Sequence, residues 1–326
     1  MLQLKPALEA AERRLRASAV GSPRMNAEVL LMFTLACDRA YLYAHPEREL
    51  TEVEVERYGE ALDERVRGVP AQYITGHQEF WGLDLIVTPA VLIPRPETEH
   101  VVEAVLELVR TTWRPAEVPA THSGHSSGPR IIDVGTGSGC IALALAAELP
   151  NAEILASDIS ADALEIARIN AVRLQLSSRI TFLQSDLLGG ITRSEDPHRP
   201  PDHQSPIFDF VVANPPYVGE GEADKVQREV RKFEPQQAVF AGHDGLDVIT
   251  RLIPQAQAYL RPGGWLVLEI GYTQEQPVRA LLGGWREVRT VPDLQGIPRV
   301  IAGRYRDDRA SGDPVIERHE KRQVLG

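Results

Sequence analysis

Apolar residues recur at every third or fourth position along the first 70 residues of the chain. That spacing places them on one face of a helix, so this region is expected to be helical. Thr51 and Glu54 have the spacing of a capping box at the start of an acidic helical segment, residues 51–67. The apolar positions that define the pattern are Leu4, Leu8, Ala11 and Leu15, followed by Leu30, Leu31, Phe33 and Leu35.

The helical period is lost in residues 71–96. Residues 80–87 have the composition of a strand in a short hairpin. Pro94 and Pro96 lie two positions apart in the segment that follows, and this excludes regular structure there because proline donates no backbone hydrogen bond. A helix is expected to begin near Glu97 and to run to about Arg110.

From Arg130 onward, short apolar runs alternate with helical segments. This alternation predicts an α/β fold with a Rossmann-like parallel sheet and helices on both faces. The last two strands are too close in sequence for a helical crossover, so the last strand is expected to be antiparallel. The expected strands are residues 131–134, 153–157, 180–183, 208–213, 265–270, 285–291 and 299–303. The expected helices are residues 140–148, 161–174, 245–260 and 274–282.

Two polar segments interrupt this pattern, at residues 112–129 and 189–206, and both are interpreted as inserts. His122 and His125 in the first insert are interpreted as solvated loop residues rather than metal ligands. Residues 307–326 are strongly charged, and a disordered tail is expected there.

The composition limits the partners and the compartment. The net charge is −11, which repels a phosphate backbone and argues against a nucleic-acid substrate. Two cysteines, Cys37 and Cys140, provide neither a disulfide framework nor a metal cluster, so a reducing cytoplasm is expected. The most apolar stretch, residues 29–37, is too short for a bilayer span, which needs about 20 residues.

A glycine-rich turn leaves the first strand of the expected sheet and opens a helix. Its glycines occur at every second position, whereas a dinucleotide fingerprint requires Gly-x-Gly-x-x-Gly. The pattern Gly-x-Gly-x-Gly after an acidic strand instead resembles motif I of the S-adenosylmethionine methyltransferases. The residues of this motif are Asp133, Val134, Gly135, Thr136, Gly137, Ser138 and Gly139.

Two carboxylates follow the next two strands. Asp158 comes about twenty residues after the glycine loop, where a carboxylate can accept hydrogen bonds from both ribose hydroxyls. Ser160 is the better cap for the helix that follows, which leaves Asp158 free for a ligand. Asp186, with Leu187 beside it, lies where the methyltransferases that this chain resembles bind the adenine amino group.

The motif Asn214-Pro215-Pro216-Tyr217 directly follows the fourth strand. A planar amide or aryl amine is a poor nucleophile because its lone pair is delocalised. The Asn214 side-chain oxygen and the Pro215 carbonyl can accept its two N–H groups and orient the nitrogen toward a methyl donor. The same acceptors bind the nitrogen more strongly as it becomes positive in the transition state. Tyr217 can pack against the flat group.

Three stretches together resemble the HemK/PrmC-type N5-glutamine methyltransferases of peptide chain release factors. The resemblance covers about residues 1–305. The motif at 214–217 is shared with DNA and RNA amino-methyltransferases, whereas the segment from Pro94 to Glu99 is far more specific. The three stretches are residues 67–76, residues 80–99 and residues 214–217.

The resemblance implies a helical substrate-recognition domain over residues 1–76, a β-hairpin linker over 77–96 and a methyltransferase domain over 97–306. It implies S-adenosylmethionine as the cofactor. As the substrate it implies the glutamine of a Gly-Gly-Gln loop in class-1 peptide chain release factors. A cytoplasmic monomer is expected, with no membrane and no direct nucleic-acid partner.

The resemblance also implies residue roles. Asn214 and Pro215 are the expected catalytic residues, and no metal site is expected. Asp133 and Glu97 are candidate carboxylates near the positive sulfonium. The residues implied to contact the cofactor are Gly135, Thr136, Gly137, Ser138, Gly139, Asp158, Asp186, Leu187, Asn214 and Glu97. The residues implied to hold the substrate are Asn214, Pro215, Pro216, Tyr217 and Arg95.

Four alternatives compete with this hypothesis. A nucleic-acid amino-methyltransferase needs a basic surface, which the acidic composition opposes. A ribosomal-protein glutamine methyltransferase carries Pro-Arg-Ser where this chain has Pro94-Arg95-Pro96. A nicotinamide-dependent oxidoreductase is opposed by the broken fingerprint. A cofactor-binding module without catalysis does not need the intact motif at 214–217.

Overall fold

The computed structural model of the chain describes residues 2–113, 128–191 and 208–306. The expected tail, 307–326, and most of the two expected inserts, 112–129 and 189–206, lie outside the described residues, as do His122 and His125. Among the described residues, no helix combines the length and the apolar character that a membrane crossing requires.

Five helices form the N-terminal region, as the apolar period predicts. Leu15, Leu30 and Leu31 are fully buried between them. The capping box is confirmed, because Thr51 Oγ1 accepts from Glu54 N at 3.3 Å and Glu54 Oε2 accepts from Thr51 N at 2.9 Å. The helices are α1 (Leu4–Ala17), α2 (Pro23–Leu35), α3 (Arg39–Ala44), α4 (Glu52–Val66) and α5 (Ala71–Thr75).

A β-hairpin follows, made of the antiparallel strands β1 (His77–Phe80) and β2 (Leu83–Ile86). The prediction of one strand over residues 80–87 was therefore wrong. Trp81 and Gly82 both have positive φ, 55° and 71°, as a two-residue hairpin turn requires. The chain reverses there because glycine adopts this conformation without a steric cost.

Helical structure begins at the second of the two prolines, so the expectation that regular structure is excluded there was wrong for Pro96. Pro96–Thr98 is one turn of 3-10 helix, and α6 (Glu99–Thr112) continues it close to the expected start at Glu97. Proline is tolerated in a first helical turn because the N–H that it lacks has no intrahelical partner there.

A seven-stranded sheet forms the rest of the fold, in the order β5-β4-β3-β6-β7-β9-β8. Its first five strands are parallel, and β9 is antiparallel to both of its neighbours, so the expected antiparallel last strand is confirmed. The strands are β3 (Arg130–Val134), β4 (Glu153–Asp158), β5 (Ile180–Gln184), β6 (Phe208–Ala213), β7 (Leu260–Glu269), β8 (Arg286–Pro292) and β9 (Pro298–Arg304).

Helices cover both faces of the sheet. Beside the sheet lie α7 (Cys140–Glu148), α8 (Ala161–Arg173), α11 (Asp247–Tyr259) and α12 (Glu275–Leu281). One buried cluster contains α6 and α7 side chains with Ile131, Phe210 and Val267. The other contains side chains of α11 and α12 with Val211 and Leu268.

Three expectations for the second half of the sheet were incomplete. The helix expected from residue 245 begins at Asp247, because Gly245 has a φ of +76° and cannot be helical. Strand β7 begins at Leu260 instead of residue 265, with a register shift opposite Phe208 and Phe210. Residues 220–239 contain helical turns that no sequence pattern predicted: a 3-10 helix (Glu220–Lys225), α9 (Arg228–Phe233) and α10 (Gln236–Val239).

Candidate active site at the carboxyl edge of the sheet

A cavity opens where the parallel strands β3, β4, β5 and β6 end. In an open α/β sheet this edge is where ligands bind. The expected site residues that line the cavity are Gly135, Thr136, Gly137, Ser138, Asp158, Asp186, Leu187, Asn214 and Pro216. The expected site residues that the cavity wall does not include are Gly139, Arg95, Glu97, Pro215 and Tyr217.

The glycine loop is held to the end of β4 by its own backbone. Gly135 N donates to Ser157 O at 2.8 Å, and Gly137 N donates to Asp158 Oδ2 at 2.9 Å. Gly139 has a different role, because a Cβ there would lie 3.0 Å from Leu143 Cδ1 and 3.2 Å from the Ala167 Cβ. Gly139 therefore allows close packing of α7 on α8, whereas Gly135 and Gly137 face the cavity.

Asp133 anchors the loop from beneath. Its Oδ2 accepts from Thr136 Oγ1 at 2.6 Å and from Ala142 N at 3.2 Å. The side chain is fully buried, and burial raises the pKa of Asp133 to about 7. Asp133 does not line the cavity. These contacts support a role for Asp133 in anchoring the glycine loop. They do not support the alternative role, in which its carboxylate lies beside the sulfonium of the cofactor.

Asp158 was expected to be free for a ligand, but both of its carboxylate oxygens already accept backbone hydrogen bonds. Its Oδ2 accepts from Gly137 N and its Oδ1 accepts from Ser160 N, both at 2.9 Å. Ser160 caps α8 through a bond from Ala163 N at 3.1 Å, as expected. Burial raises the pKa of Asp158, and the backbone bonds oppose that shift. Each carboxylate oxygen keeps a further lone pair, so Asp158 can still accept from a ligand hydroxyl.

Asp186 and Leu187 border the same cavity from the end of β5. The Asp186 carboxylate pairs with Arg251 on α11, and both side chains are about half exposed, at 52%. Leu187 has a φ of +54°, which bends the chain around this end of the cavity. Arg251 also lines the cavity, although no sequence pattern pointed to it.

The Asn214 side chain is oriented by Thr98. Asn214 Nδ2 donates to Thr98 Oγ1 at 3.0 Å, and Thr98 is only 1% exposed. Among the residues that the structure describes, Asn214 Oδ1 accepts no bond and remains available to a ligand. Pro216 lines the cavity beside it. Thr98 was missed in the sequence, because its partner lies 116 positions away.

Tyr217 points away from the cavity, into the protein. Its hydroxyl donates to Glu269 Oε1 at 3.2 Å, and its carbonyl accepts from Gln274 Nε2 at 2.9 Å. Burial raises the pKa of the Glu269 carboxyl to about 7. Glu269 could have been noticed in the sequence, because it is the one charged residue between Trp265 and Ile270.

Arg95 is engaged by a buried carboxylate. Its guanidinium pairs with Glu234 Oε1, while Glu234 Oε2 accepts from Ile93 N at 3.1 Å. Glu234 is 4% exposed and lies between α9 and α10. Arg95 thus fixes the proline-rich segment against residues 228–239. Glu97 does not line the cavity, and its negative charge acts to raise the pKa of Glu269 and of Arg299.

Comparisons with known proteins agree with this arrangement. Residues 6–76 match the family model of the PrmC N-terminal domain, and residues 125–281 match that of a methyltransferase domain. A release factor glutamine methyltransferase of Koribacter versatilis (strain Ellin345) is 52% identical over 303 residues, which are 93% of this chain and 99% of that protein. This chain belongs to the release factor glutamine methyltransferase family.

Other members of the family are similar over nearly the same span. The release factor glutamine methyltransferase of Moorella thermoacetica is 42% identical and covers 94% of this chain and all of that protein. Among solved structures, the hMettl16 catalytic domain in complex with a MAT2A 3'UTR hairpin has a TM-score of 0.51 and 20% identity. It covers 78% of this chain and 82% of that one, and at this identity it shows the shared fold alone.

Release factor glutamine methyltransferases use S-adenosylmethionine as the methyl donor, and the residues present fit that cofactor. A Cβ at Gly135 or Gly137 would meet no atom within 4 Å, so the backbone of both borders open space. Asp158 lies at the same place with acceptor capacity for ribose hydroxyls. Ile159 and Leu187 add apolar surface to the cavity, which suits an adenine ring.

Proposed function

We propose that this protein transfers a methyl group from S-adenosylmethionine to the side-chain nitrogen of a release factor glutamine, N5 of the Gly-Gly-Gln motif. The arrangement of Asn214 carries this proposal. Its amide nitrogen is occupied by Thr98, and its oxygen is free at the wall of the cavity that also contains the glycine loop and Asp158. An acceptor fixed at that edge suits a substrate with N–H donors.

The chemistry follows from the weakness of the nucleophile. When bound, S-adenosylmethionine supplies a methyl group made electrophilic by the sulfonium. Asn214 Oδ1 and the Pro215 carbonyl accept the two N–H groups of the glutamine amide and orient its nitrogen toward that methyl group. The rings of Pro215 and Pro216 restrict the direction of the backbone carbonyls.

Charge develops on the nitrogen as the new bond forms. The two acceptors stabilise it more strongly at that moment than in the ground state, and this difference accelerates transfer. The alkylated amide nitrogen then loses its proton to water, so no general base is required. Tyr217 supports the motif from inside the protein through its bond to Glu269, instead of covering the glutamine directly.

The helical region over residues 1–76 is proposed to recognise the release factor, and the linker over 77–96 to place it at the cavity. The acidic balance of the chain fits a basic protein surface better than a nucleic acid. The enzyme is proposed to act in the cytoplasm as a monomer.

The test is methyl transfer from labelled S-adenosylmethionine to a purified class-1 release factor, either intact or with its Gly-Gly-Gln glutamine replaced by alanine. We expect label on the intact factor only. Asn214→Ala should lower kcat by a factor of about 100 or more, the size of effect that follows loss of one positioned hydrogen-bonding group in other active sites.

Two controls interpret that result. Asn151→Ala removes an exposed carboxamide at the opposite edge of the sheet and should leave transfer unchanged. Binding of S-adenosylhomocysteine to Asn214→Ala shows whether the cavity remains formed. Label on the alanine-substituted factor, or on ribosomal protein or RNA instead of the factor, would contradict the proposed substrate.

A further inference from the structure

An ion pair lies at one end of the cavity. Arg251 Nη2, on α11, donates to Oδ2 of Asp186, which follows strand β5, and both side chains line the cavity wall. Each side chain is 52% exposed. An ion pair with this exposure contributes little to the stability of a fold. Its removal therefore tests ligand binding without unfolding the protein.

Helix α11 also holds the backbone of the loop that begins at Asp186. Gln255 lies one turn after Arg251, on the same face of the helix. Its Oε1 accepts from Leu188 N at 3.0 Å, and its side chain does not line the cavity. The loop is thus fixed in two separate ways, because Gln255 holds its backbone and Arg251 holds its carboxylate.

One acceptor at this end of the cavity is available to a ligand. Arg251 donates to Asp186 Oδ2, and no group in the described parts of the chain donates to Oδ1. Ile159 and Leu187 line the same cavity, and Ile159 is 55% exposed although it is large and apolar. A carboxylate accepts hydrogen bonds and cannot donate them. These groups suit a flat ring with an N–H donor at its edge, and the 6-amino group of adenine is such a donor.

The guanidinium of Arg251 gives the Asp186 carboxylate a fixed direction. An exposed carboxylate without a partner rotates and exchanges its two oxygens, whereas a carboxylate held at Oδ2 presents Oδ1 in one direction. Guanidinium groups are suited to this task, because their planar donors match the geometry of a carboxylate. An acceptor that is ordered before the ligand arrives lowers the entropic cost of binding.

We propose that Arg251 is a positioning residue, which orients Asp186 Oδ1 toward the 6-amino group of the adenine in S-adenosylmethionine and so makes the cavity selective for 6-aminopurines. This role goes beyond the proposed function, because it concerns the choice of cofactor and not the amide that accepts the methyl group. Arg251 acts through Asp186 and does not need to contact the purine.

The test is calorimetric binding of two ligands that differ in one substituent. One is S-adenosylhomocysteine, and the other is its analogue with hydrogen in place of the 6-amino group. The ratio of the two affinities measures recognition of the amino group, and a general loosening of the cavity does not change it. The wild type should bind S-adenosylhomocysteine about 10- to 100-fold more tightly, the range for one hydrogen bond to a charged group.

Substitutions of the pair should change this ratio. Arg251→Met removes the donors and should weaken S-adenosylhomocysteine about 5- to 10-fold while the affinity for the analogue is unchanged. Arg251→Lys keeps a cation for Oδ2 and should recover most of the loss. Asp186→Ala should abolish the preference for the 6-amino group. The double variant should bind no more weakly than Asp186→Ala, because Arg251 acts through Asp186.

Two further variants are controls. Gln255→Ala releases the loop backbone and should weaken both ligands by the same factor, so the ratio stays at the wild-type value. Arg14→Ala removes another exposed ion pair, with Asp63 in the helical region, and should change neither affinity. Thermal unfolding of each variant measures whether the fold is retained.

In the methyl-transfer assay, Arg251→Met should raise KM for S-adenosylmethionine and leave kcat unchanged, because the amino group is not among the reacting atoms. An equal loss of affinity for both ligands in Arg251→Met, or wild-type affinity for both, would overturn the proposal. Losses that multiply in the double variant would also overturn it. The binding measurements use no release factor, so failure of the proposed function appears separately, as absence of label on that factor.

Discussion

Asn170 Nδ2 lies 2.9 Å from Ser138 O and 3.0 Å from Ile86 O, so one side chain ties the glycine loop to the β-hairpin. Asn170 Oδ1 also accepts from Ile86 N at 2.7 Å. The residue is fully buried on α8. It satisfies three backbone groups, the buried Ser138 carbonyl and the partly buried Ile86 N–H and carbonyl, from a helix that belongs to neither the loop nor the hairpin.

Asn170→Ala should therefore be strongly destabilising. Unsatisfied buried groups cost about 1–3 kcal/mol each, so a loss of about 3 kcal/mol or more is expected in urea denaturation. Arg173→Ala provides the control, because Arg173 joins α8 to the same hairpin through Asp84 at the surface. Its loss should cost about 1 kcal/mol or less. Equal losses in the two variants would contradict the role of Asn170.

Gly137 and Gly82 allow a test of the cavity independent of fold stability. Both have positive φ, +56° and +71°, and a Cβ at either position would meet no protein atom within 4 Å. Alanine should cost both positions about 1–2 kcal/mol of backbone strain. Only Gly137→Ala should also weaken S-adenosylhomocysteine binding, by a factor of about 10 or more, because its methyl group enters the cavity. Titration calorimetry measures this, and similar weakening by Gly82→Ala would refute the assignment.

Asp133 should make stability depend on pH. Its folded-state pKa is about 7, raised by burial above the ordinary value of 3.8 for an aspartate. The folded protein therefore binds more protons than the unfolded chain between these values, and stability falls as pH rises from about 4 to 7. Asp133→Asn should remove up to about 1.4 kcal/mol per pH unit of that slope. Unfolding of the wild type and of Asp133→Asn at several pH values measures the difference between their two slopes. Glu269 also has a raised pKa, but it is present in both proteins, so its contribution cancels in that difference.

Arg65 joins the helical region to α9. Its guanidinium donates to Asn26 Oδ1 at 2.7 Å and Val69 O at 3.1 Å, and pairs with Glu229 at 2.7 Å. Arg65→Met leaves these acceptors behind, so a loss of about 3 kcal/mol is expected. Glu229→Gln should cost about 1 kcal/mol or less, because that side chain is 32% exposed. Urea denaturation of both variants measures the two losses. A larger loss of stability in Glu229→Gln than in Arg65→Met would contradict this role of Arg65.

The parts of the fold that depend on local periodicity could be predicted from the sequence. The strands that lead to Asp133 and Asn214 are apolar runs with turn residues after them, and their carboxyl ends meet at one edge. The antiparallel last strand followed from a connection too short for a helix. The hairpin turn at Trp81 was missed, because the apolar run continues through it and only Gly82 interrupts it.

Most of the site's support could not be predicted, because it comes from partners distant in sequence. Thr98 orients Asn214 across 116 positions, and Glu234 holds Arg95 across 139. The periodic pattern of apolar residues along the chain carries no information about pairs so far apart in sequence. Residues 220–239 have short helices of at most six residues, too short to show an amphipathic pattern. The resemblance implied that Arg95 holds the substrate, and its pairing with Glu234, a residue of that segment, left no signal in the sequence.

The position of β9 has a consequence for the order in which the enzyme matures on the ribosome. Strand β7 pairs with β6 on one side, but its other neighbour is β9, with Glu269 opposite Val300. The ribosome must therefore synthesise the chain past Arg304 before the strand that carries Glu269 is enclosed. A nascent chain can assemble the glycine loop early, yet it gains a finished methyl-transfer site only after nearly all of the sheet has emerged.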